Sequence, residues 1–113
     1  INEMSIRNIG ILCHYPLSRL IENRDILTER ERYFIDSPFS HVDFLLYHRI
    51  TKQPVIAVEV DGWKYHNESE IQQSRDSLKN SVFAKCGLNL YRISTTDTVS
   101  VESIKTMLSK YIL

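Results

Sequence analysis

Residues 54–66 read PVIAVEVDGWKYH, an apolar run that ends in two carboxylates, Glu59 and Asp61. The unbroken apolar residues before Glu59 predict a strand that is buried on both faces. Side chains alternate along a strand, so Glu59 and Asp61 project to the same side, and Gly62 predicts where the strand ends. An ionised carboxylate is costly in such surroundings unless a cation meets it. The pair therefore predicts a metal site at the end of this strand.

A second apolar strand carries a further acid. Residues 41–48 read HVDFLLYH, with Asp43 among them, and the loop RITKQP joins them to the first strand as a hairpin. Whether Asp43 meets Glu59 depends on the strand register, which the sequence leaves open. Mg²⁺ takes oxygen ligands and retains several waters, so the two carboxylates and the Val60 carbonyl would suffice as its protein ligands. The other interpretation is that these acids are solvated or ion-paired.

The segment that follows predicts a long helix. Asn67 followed by Glu70 fits a capping box, and Gly87 suits the position after the C-cap, so we expect a helix over residues 68–86. Helical periodicity places several apolar side chains on one face: Ile71, Leu78, Val82, Phe83 and Cys86.

Two cations fall within the same arc of that helix. Arg75 and Lys79 are one turn apart and should face the sheet, which is unusual for cations without an anionic target. Either they reach the acids of the strands or a phosphate above them, or their long stems carry the charges to the edge of the apolar face.

A series of short motifs spans residues 41–96. In order they are D-F, E-V-D-G, H, a helical R-D-x-L-K that ends in C-G-L, and L-Y-R-I. This order resembles the PD-(D/E)XK nuclease superfamily, and within it the branch of very-short-patch repair endonuclease-like domains. The resemblance is closest to the nuclease-like domains at the C-terminus of large superfamily 1 DNA helicases.

The resemblance implies an α/β fold with a restriction-endonuclease-like core, in which helices flank a small mixed sheet of about four strands. It also implies that Asp43 and Glu59 bind Mg²⁺ or Mn²⁺ and that the domain hydrolyses DNA phosphodiester bonds. Such a metal would lower the pKa of its bound water and polarise the phosphoryl oxygen. Arg75, Arg92 and Lys64 are the expected DNA contacts, with pairing of Arg92 to an acid as an equal alternative.

One position departs from the motif of the superfamily. The lysine expected two residues after the glutamate is Asp61 in this chain. Lys79 from the following helix can replace that cation, or His66 can act as general base, because imidazole titrates near neutral pH. Asp61 can bind a second metal or orient a water, so one-metal and two-metal chemistry both remain open. The third possibility is a catalytically inactive domain that retains the fold for DNA binding or protein interaction.

The length and the net charge of the chain indicate its number of domains and its attraction to DNA. The 113 residues predict one domain over residues 1–113. With 14 Lys and Arg against 14 Asp and Glu, the chain lacks the basic excess that draws free-standing proteins to DNA. We therefore expect helicase domains of the same polypeptide to deliver the DNA, and the start at Ile1 suggests a C-terminal fragment of such a protein. The oligomeric state is not indicated.

The cysteine spacing and the hydropathy argue against a zinc-binding, a disulfide-rich or a membrane-spanning protein. Cys13 and Cys86 lie far apart and outside any zinc-type spacing, so we expect both to be reduced and buried. No apolar run approaches the length of a membrane span, and no signal peptide is recognisable. These features predict a cytoplasmic protein without a membrane partner.

The N-terminal third predicts a short strand, an amphipathic segment with Leu17, Leu20 and Ile21, and a charged helix capped by Thr28. The run TERER in that helix predicts a solvated face.

The remaining elements are predicted from their patterning. LNLYRIS is expected to form a strand after the long helix, and VSVESIKTMLSKYIL an amphipathic helix. Members of the superfamily also contribute a glutamate from a first helix to the metal site. Only Glu3 and Glu22 precede the charged segment, and neither has a context that identifies it.

Overall fold

The computed structural model describes residues 8–61, 70–94, 102–104 and 106. The elements in chain order are β1 (Ile9–Pro16), α1 (Leu17–Leu20), α2 (Glu29–Asp36), β2 (His41–His48), β3 (Pro54–Asp61), α3 (Glu70–Cys86) and β4 (Leu90–Ser94). Residues 102–104 and 106 are also helical. The predicted Asn67 cap and the Gly62 strand end lie outside the described residues.

The four strands form one mixed sheet in the order β1-β2-β3-β4. The first three strands are antiparallel neighbours, whereas β4 runs parallel to β3 after the crossover through α3. The predicted hairpin is confirmed, since Phe44 pairs with Val58 and Leu45 with Ala57. The predicted α/β fold, with a four-stranded mixed sheet flanked by helices, is therefore confirmed.

Apolar side chains pack on both faces of the sheet. The helix-side cluster contains Leu17, Leu20, Ile21, Leu27, Phe34, Ile35, Val42, Leu45, Ala57, Val82 and Phe83. The opposite cluster contains Ile9, Leu46, Ile56, Val58 and Ile104. Burial on both faces confirms the interpretation of β3 as an internal strand, and it explains why the run before Glu59 is almost wholly apolar.

The C-terminal end of α3 is formed as predicted. Gly87 has φ +68°, its N–H donates to the Ala84 carbonyl, and the Leu88 N–H donates to the Phe83 carbonyl. This pattern is a Schellman motif, in which glycine adopts the left-handed conformation without steric cost. The predicted burial of Ile71 is wrong, because its side chain is 73% exposed. The helix packs on the sheet through its C-terminal half, so its first turn does not reach the helix-side cluster.

The charged helix α2 begins as predicted but is not fully solvated. Thr28 and Glu31 form a reciprocal capping box. Glu31 is only 3% exposed, since its carboxylate also accepts hydrogen bonds from Lys85 Nζ at 2.7 Å and Ser81 Oγ at 2.5 Å. The predicted solvated face is therefore wrong at Glu31, which ties α2 to α3. Burial acts to raise the pKa of Glu31, but these hydrogen bonds outweigh it and lower the pKa to about 2.

We expect Glu31→Gln to lower the free energy of unfolding by about 2 kcal/mol at neutral pH, because the Lys85 ammonium then faces an amide. The folded pKa of about 2 lies below the ordinary 4.5, so this contribution is complete above pH 4.5 and is lost as the pH falls towards 2. Urea denaturation at neutral and acidic pH measures the difference between wild type and variant.

Glu29→Gln is the matched control for that measurement. Glu29 lies in the same first turn of α2 but is exposed, so both substitutions remove the same favourable interaction with the helix dipole. The control should cost only a few tenths of a kcal/mol. Equal losses for Glu29→Gln and Glu31→Gln would contradict a stabilising role for the buried ion pair.

The two cysteines are free, as predicted, but they are not buried. Cys13 is exposed and Cys86 is half-buried. Cys13 lies on β1, the edge strand, where neighbouring Leu12 and His14 are exposed as well. Edge strands have only one neighbour, so their side chains are covered less completely. In the described ranges every helix is too short or too polar to span a membrane.

Candidate functional site

The site lies where the end of β3 meets the middle of α3. Glu59 on β3 is 7% exposed, and its Oε1 accepts a hydrogen bond from Lys79 Nζ at 2.5 Å. Lys79 also donates to the backbone carbonyl of His41 at 2.9 Å. The prediction that Lys79 faces the sheet is confirmed, and its ammonium joins α3 to both β2 and β3.

Asp43 brings a second carboxylate to the same place. Its Oδ2 accepts a hydrogen bond from the Val60 N–H at 2.7 Å, which fixes the side chain of β2 against the end of β3. Phe44 pairs with Val58, so Asp43 and Glu59 each lie one residue beyond the last paired positions of β2 and β3. Asp43 is close enough to Glu59 to contribute to the raised pKa of that carboxyl group. Asp43, Glu59 and Lys79 therefore lie at the same end of the sheet, a proximity of the two acids that the sequence left open, and their role as a metal site stays a prediction.

The electrostatics of this group favour an additional cation. Burial raises the pKa of Glu59 to about 7, Lys79 opposes the rise, and the neighbouring Asp43 adds to it. Lys79 pairs with Glu59, so the two carboxyl groups carry one negative charge more than this ammonium supplies when both are ionised. Carboxylate oxygens are the ligands that Mg²⁺ prefers, and the donor set therefore suits a hard divalent ion.

A cleft of about 230 Å³ opens onto Glu59 and Lys79 of this group. Glu59, Lys79 and Arg75 contribute to its wall, together with Phe34, Phe39, Ser40, His41, Gln72 and Asp76. Arg75 has no anionic partner among the residues that the structure describes, although Glu59 and Asp76 line the same cleft. The prediction that Arg75 lies on the sheet side of α3 is confirmed, and the cleft offers an anion two cations.

Arg92 on β4 is held by α3. Its Nη2 donates to Asn80 Oδ1 at 3.0 Å, and its Nη1 lies 3.9 Å from Asp76 Oδ1. Arg92 therefore pairs with an acid, one of the two predicted alternatives, but this acid belongs to the helix and not to a strand end. Contact of Arg92 with DNA phosphate stays a prediction.

Other predicted site residues cannot be placed around the cleft. The backbone of Asp61 ends β3, but its side chain lies outside the described residues. Lys64 and His66 also fall in the segment 62–69, outside the described residues. Their predicted roles therefore stay predictions. Val60 is described, and its N–H is the group that orients Asp43.

The chain matches one protein-family model over nearly its whole length. Residues 3–111 match the family model described as "Protein of unknown function (DUF2726)". The chain belongs to this family. No curated protein and no solved structure gives a significant match. The description of DUF2726 names no activity, so the chemistry of this DUF2726 chain has to be derived from its own residues.

The DUF2726 chain also contains a group that the sequence analysis missed. His14, His41 and Asp43 each place one ligand atom within 4.8 Å of the others. His41 is two residues before Asp43 on one strand, a spacing that puts both side chains on one face and was visible in the sequence. His14 carried no such signal, because its position depends on the pairing of β1 with β2.

Proposed function

We propose that this DUF2726 chain is a Mg²⁺- or Mn²⁺-dependent DNA nuclease domain. The observation that carries the proposal is the proximity of the Asp43 and Glu59 carboxyl groups on adjacent strands, with Asp43 held by the Val60 N–H and Lys79 bonded to Glu59 from the helix. Acids on two strands with a lysine beside them are the parts that metal-assisted phosphodiester hydrolysis requires. The sequence resemblance to PD-(D/E)XK nucleases supports the same reaction.

Three groups of the chain would hold the metal. The carboxylates of Asp43 and Glu59 and the Val60 carbonyl supply oxygen donors, and the Val60 N–H orients Asp43 beforehand. When bound, the ion supplies a water of lowered pKa and polarises a phosphoryl oxygen. Asp61 remains a candidate for a further ligand or for orienting that water.

The cations of α3 act on the phosphate in this proposal. Lys79 takes the place of the superfamily lysine, whose usual position is Asp61, and its ammonium stabilises the negative charge that develops on the phosphate. Arg75, 4 positions earlier on the helix, lines the cleft and binds a neighbouring phosphate of the strand. Arg92 and Lys64 complete the proposed DNA contacts.

The charge balance of the chain bears on how DNA would reach the cleft. Formal net charge is zero, so long-range attraction to DNA is weak. We propose that helicase domains of the same polypeptide, in the cytoplasm, deliver the DNA to the cleft. His66 is retained as the alternative general base.

One observation favours a second function. Lys79 already neutralises Glu59, and every buried side-chain nitrogen or oxygen in the described residues has a hydrogen-bond partner. A site that is satisfied without metal also suits a catalytically inactive module that binds DNA or a protein. Incubation of the purified protein with supercoiled and linear DNA, with Mg²⁺ or with EDTA, separates the two functions. Cleavage that depends on the metal supports the nuclease, and intact DNA supports the inactive module.

Metal binding is tested independently by stability. Ligand that binds only the folded state stabilises it by about 2.7 kcal/mol at a hundredfold excess over Kd. We expect Mg²⁺ to raise the melting temperature of the wild type, and the variant Asp43→Asn/Glu59→Gln to lose this rise. Thermal unfolding in Mg²⁺ and in EDTA measures both. An unchanged melting temperature of the wild type in millimolar Mg²⁺ would favour the inactive module.

A further inference from the structure

The sheet carries a second set of metal-type ligands beside the Glu59–Lys79 pair. His41 Nε2 lies 4.0 Å from Asp43 Oδ1, and the rings of His14 and His41 meet edge to face with centroids 5.2 Å apart. One ligand atom from each of His14, His41 and Asp43 lies within 4.8 Å of the others. The three side chains are therefore close enough to bind one ion after small rotations.

The orientation of His41 is set from its other ring nitrogen. Nδ1 lies 3.1 Å from the Phe39 carbonyl, which can only accept a hydrogen bond, so Nδ1 carries the proton. In the neutral ring this leaves a lone pair on Nε2, which lies 4.0 Å from Asp43 Oδ1. Metal-binding histidines almost always donate their second ring N–H to a carbonyl or a carboxylate in this way.

The two carboxylate oxygens of Asp43 have different neighbours. The Val60 N–H binds Oδ2 at 2.7 Å, whereas Oδ1 is the oxygen nearest His41. The carboxylate is thus held through Oδ2, and its Oδ1 lies 4.0 Å from His41 Nε2.

His14 has an unusual backbone for its position. It has φ +50° in β1, between the paired positions Cys13 with Phe44 and Tyr15 with Val42. This register sets His14 opposite Asp43. A non-glycine residue in the left-handed region costs on the order of 1 kcal/mol, and such strain concentrates at functional sites.

Strand β2 is irregular at Asp43 as well. Val42 and Leu45 both belong to the helix-side cluster. Residues three apart would point to opposite faces of a regular strand.

We propose that His14, His41 and Asp43 form a site for a borderline transition-metal ion such as Zn²⁺ or Co²⁺, which shares Asp43 with the proposed oxygen site but does not use Glu59. Two imidazoles and one carboxylate suit such ions better than Mg²⁺, and three protein ligands leave one coordination position open. Tetrahedral bonds of about 2.0–2.1 Å place ligand atoms roughly 3.3 Å apart, so binding requires these side chains, whose ligand atoms lie within 4.8 Å of one another, to draw somewhat closer. His14 is exposed and the other two ligands are half-buried, so an ion enters from solvent.

The inference does not rest on the nuclease proposal, because it concerns binding and not cleavage. Its test is a titration of the protein with Co²⁺ alone, followed by visible absorption, which reports the ligand set of the ion. We expect saturable Co²⁺ bands for the wild type. His14→Ala and His41→Ala should each weaken Co²⁺ binding at least about tenfold, the scale on which even outer contacts of a metal site act.

Two control variants make the titration specific. His48→Ala removes a histidine at the other end of β2, whose Nδ1 accepts hydrogen bonds from the N–H groups of Ile50 and Thr51, and it should leave the bands unchanged. Glu59→Gln removes the oxygen site and should also retain them. Circular dichroism of each variant verifies the fold.

The proposal is overturned if folded His14→Ala and His41→Ala bind Co²⁺ as the wild type does. It is also overturned if Glu59→Gln abolishes the bands, because the ion would then occupy the two carboxylates. Absence of DNA cleavage has no bearing on either result, so failure of this inference and failure of the nuclease proposal are distinguishable.

Discussion

Glu59→Gln should lower Mg²⁺-dependent DNA cleavage at least about a thousandfold, because it removes one of the two carboxylates that would hold the metal. The amide retains the size of the side chain and can still accept from Lys79, so the ion pair becomes a weaker hydrogen bond while the packing of β3 stays. Initial rates of plasmid cleavage at saturating Mg²⁺ measure the loss.

Asp43→Asn should reduce cleavage to a similar degree. The asparagine oxygen can still accept the Val60 N–H, so the strand contact survives while the negative charge is lost. Glu29→Gln is the control, since Glu29 is exposed and does not line the cleft. If either site variant cuts DNA at the rate of the wild type, the carboxylates do not hold the catalytic metal. The same loss in Glu29→Gln would point to a contaminating nuclease.

The acid cluster was predictable because its parts are local in the sequence. Apolar runs identify β2 and β3, and helical periodicity alone directs Lys79 towards the sheet. Predicting that Asp43 and Glu59 lie close together also requires the register of the hairpin. This register depends on the number of residues in the loop and on the bulge between Leu46 and Tyr47. Residue patterns predict which face a side chain occupies, but they do not predict which residue lies opposite.

The burial of Glu31 is not predictable from the pattern of charged residues in the sequence. Its segment is as polar as a solvated helix face, yet Glu31 is buried against Lys85, which is 54 residues away. A buried ion pair leaves a local signal only if one partner interrupts an apolar run, as Glu59 does. Within TERER a buried glutamate is indistinguishable from its exposed neighbours, so the sequence predicted solvation.

The histidine site depends on features that no local pattern contains. His14 approaches Asp43 because β1 pairs with β2 at the edge of the sheet and because the backbone of His14 enters the left-handed region. Both are consequences of tertiary packing. The missed exposure of Ile71 has the same origin, since helical periodicity identifies a face but not how much of its length the sheet covers.

Lys79→Met should lower the turnover of DNA by a factor of about a hundred to a thousand, the scale of one lost transition-state donor. Methionine retains much of the apolar stem while removing the ammonium that contacts Glu59. Because Lys79 lowers the pKa of Glu59, its loss raises that pKa further. The two proteins should therefore be compared across a range of alkaline pH at saturating Mg²⁺, so that a loss caused by protonation of Glu59 is recognised by its recovery as the pH rises.

Lys85→Met is the matched control for Lys79→Met. Both lysines lie on α3 and pair with a buried glutamate, but Lys85 contacts Glu31, away from the cleft. Both variants should lose stability, and only Lys79→Met should lose turnover when the two are assayed well below their melting temperatures. Should His66→Ala abolish cleavage while Lys79→Met retains it, the general base is the histidine. The ammonium of Lys79 would then serve only to neutralise Glu59 in the folded protein.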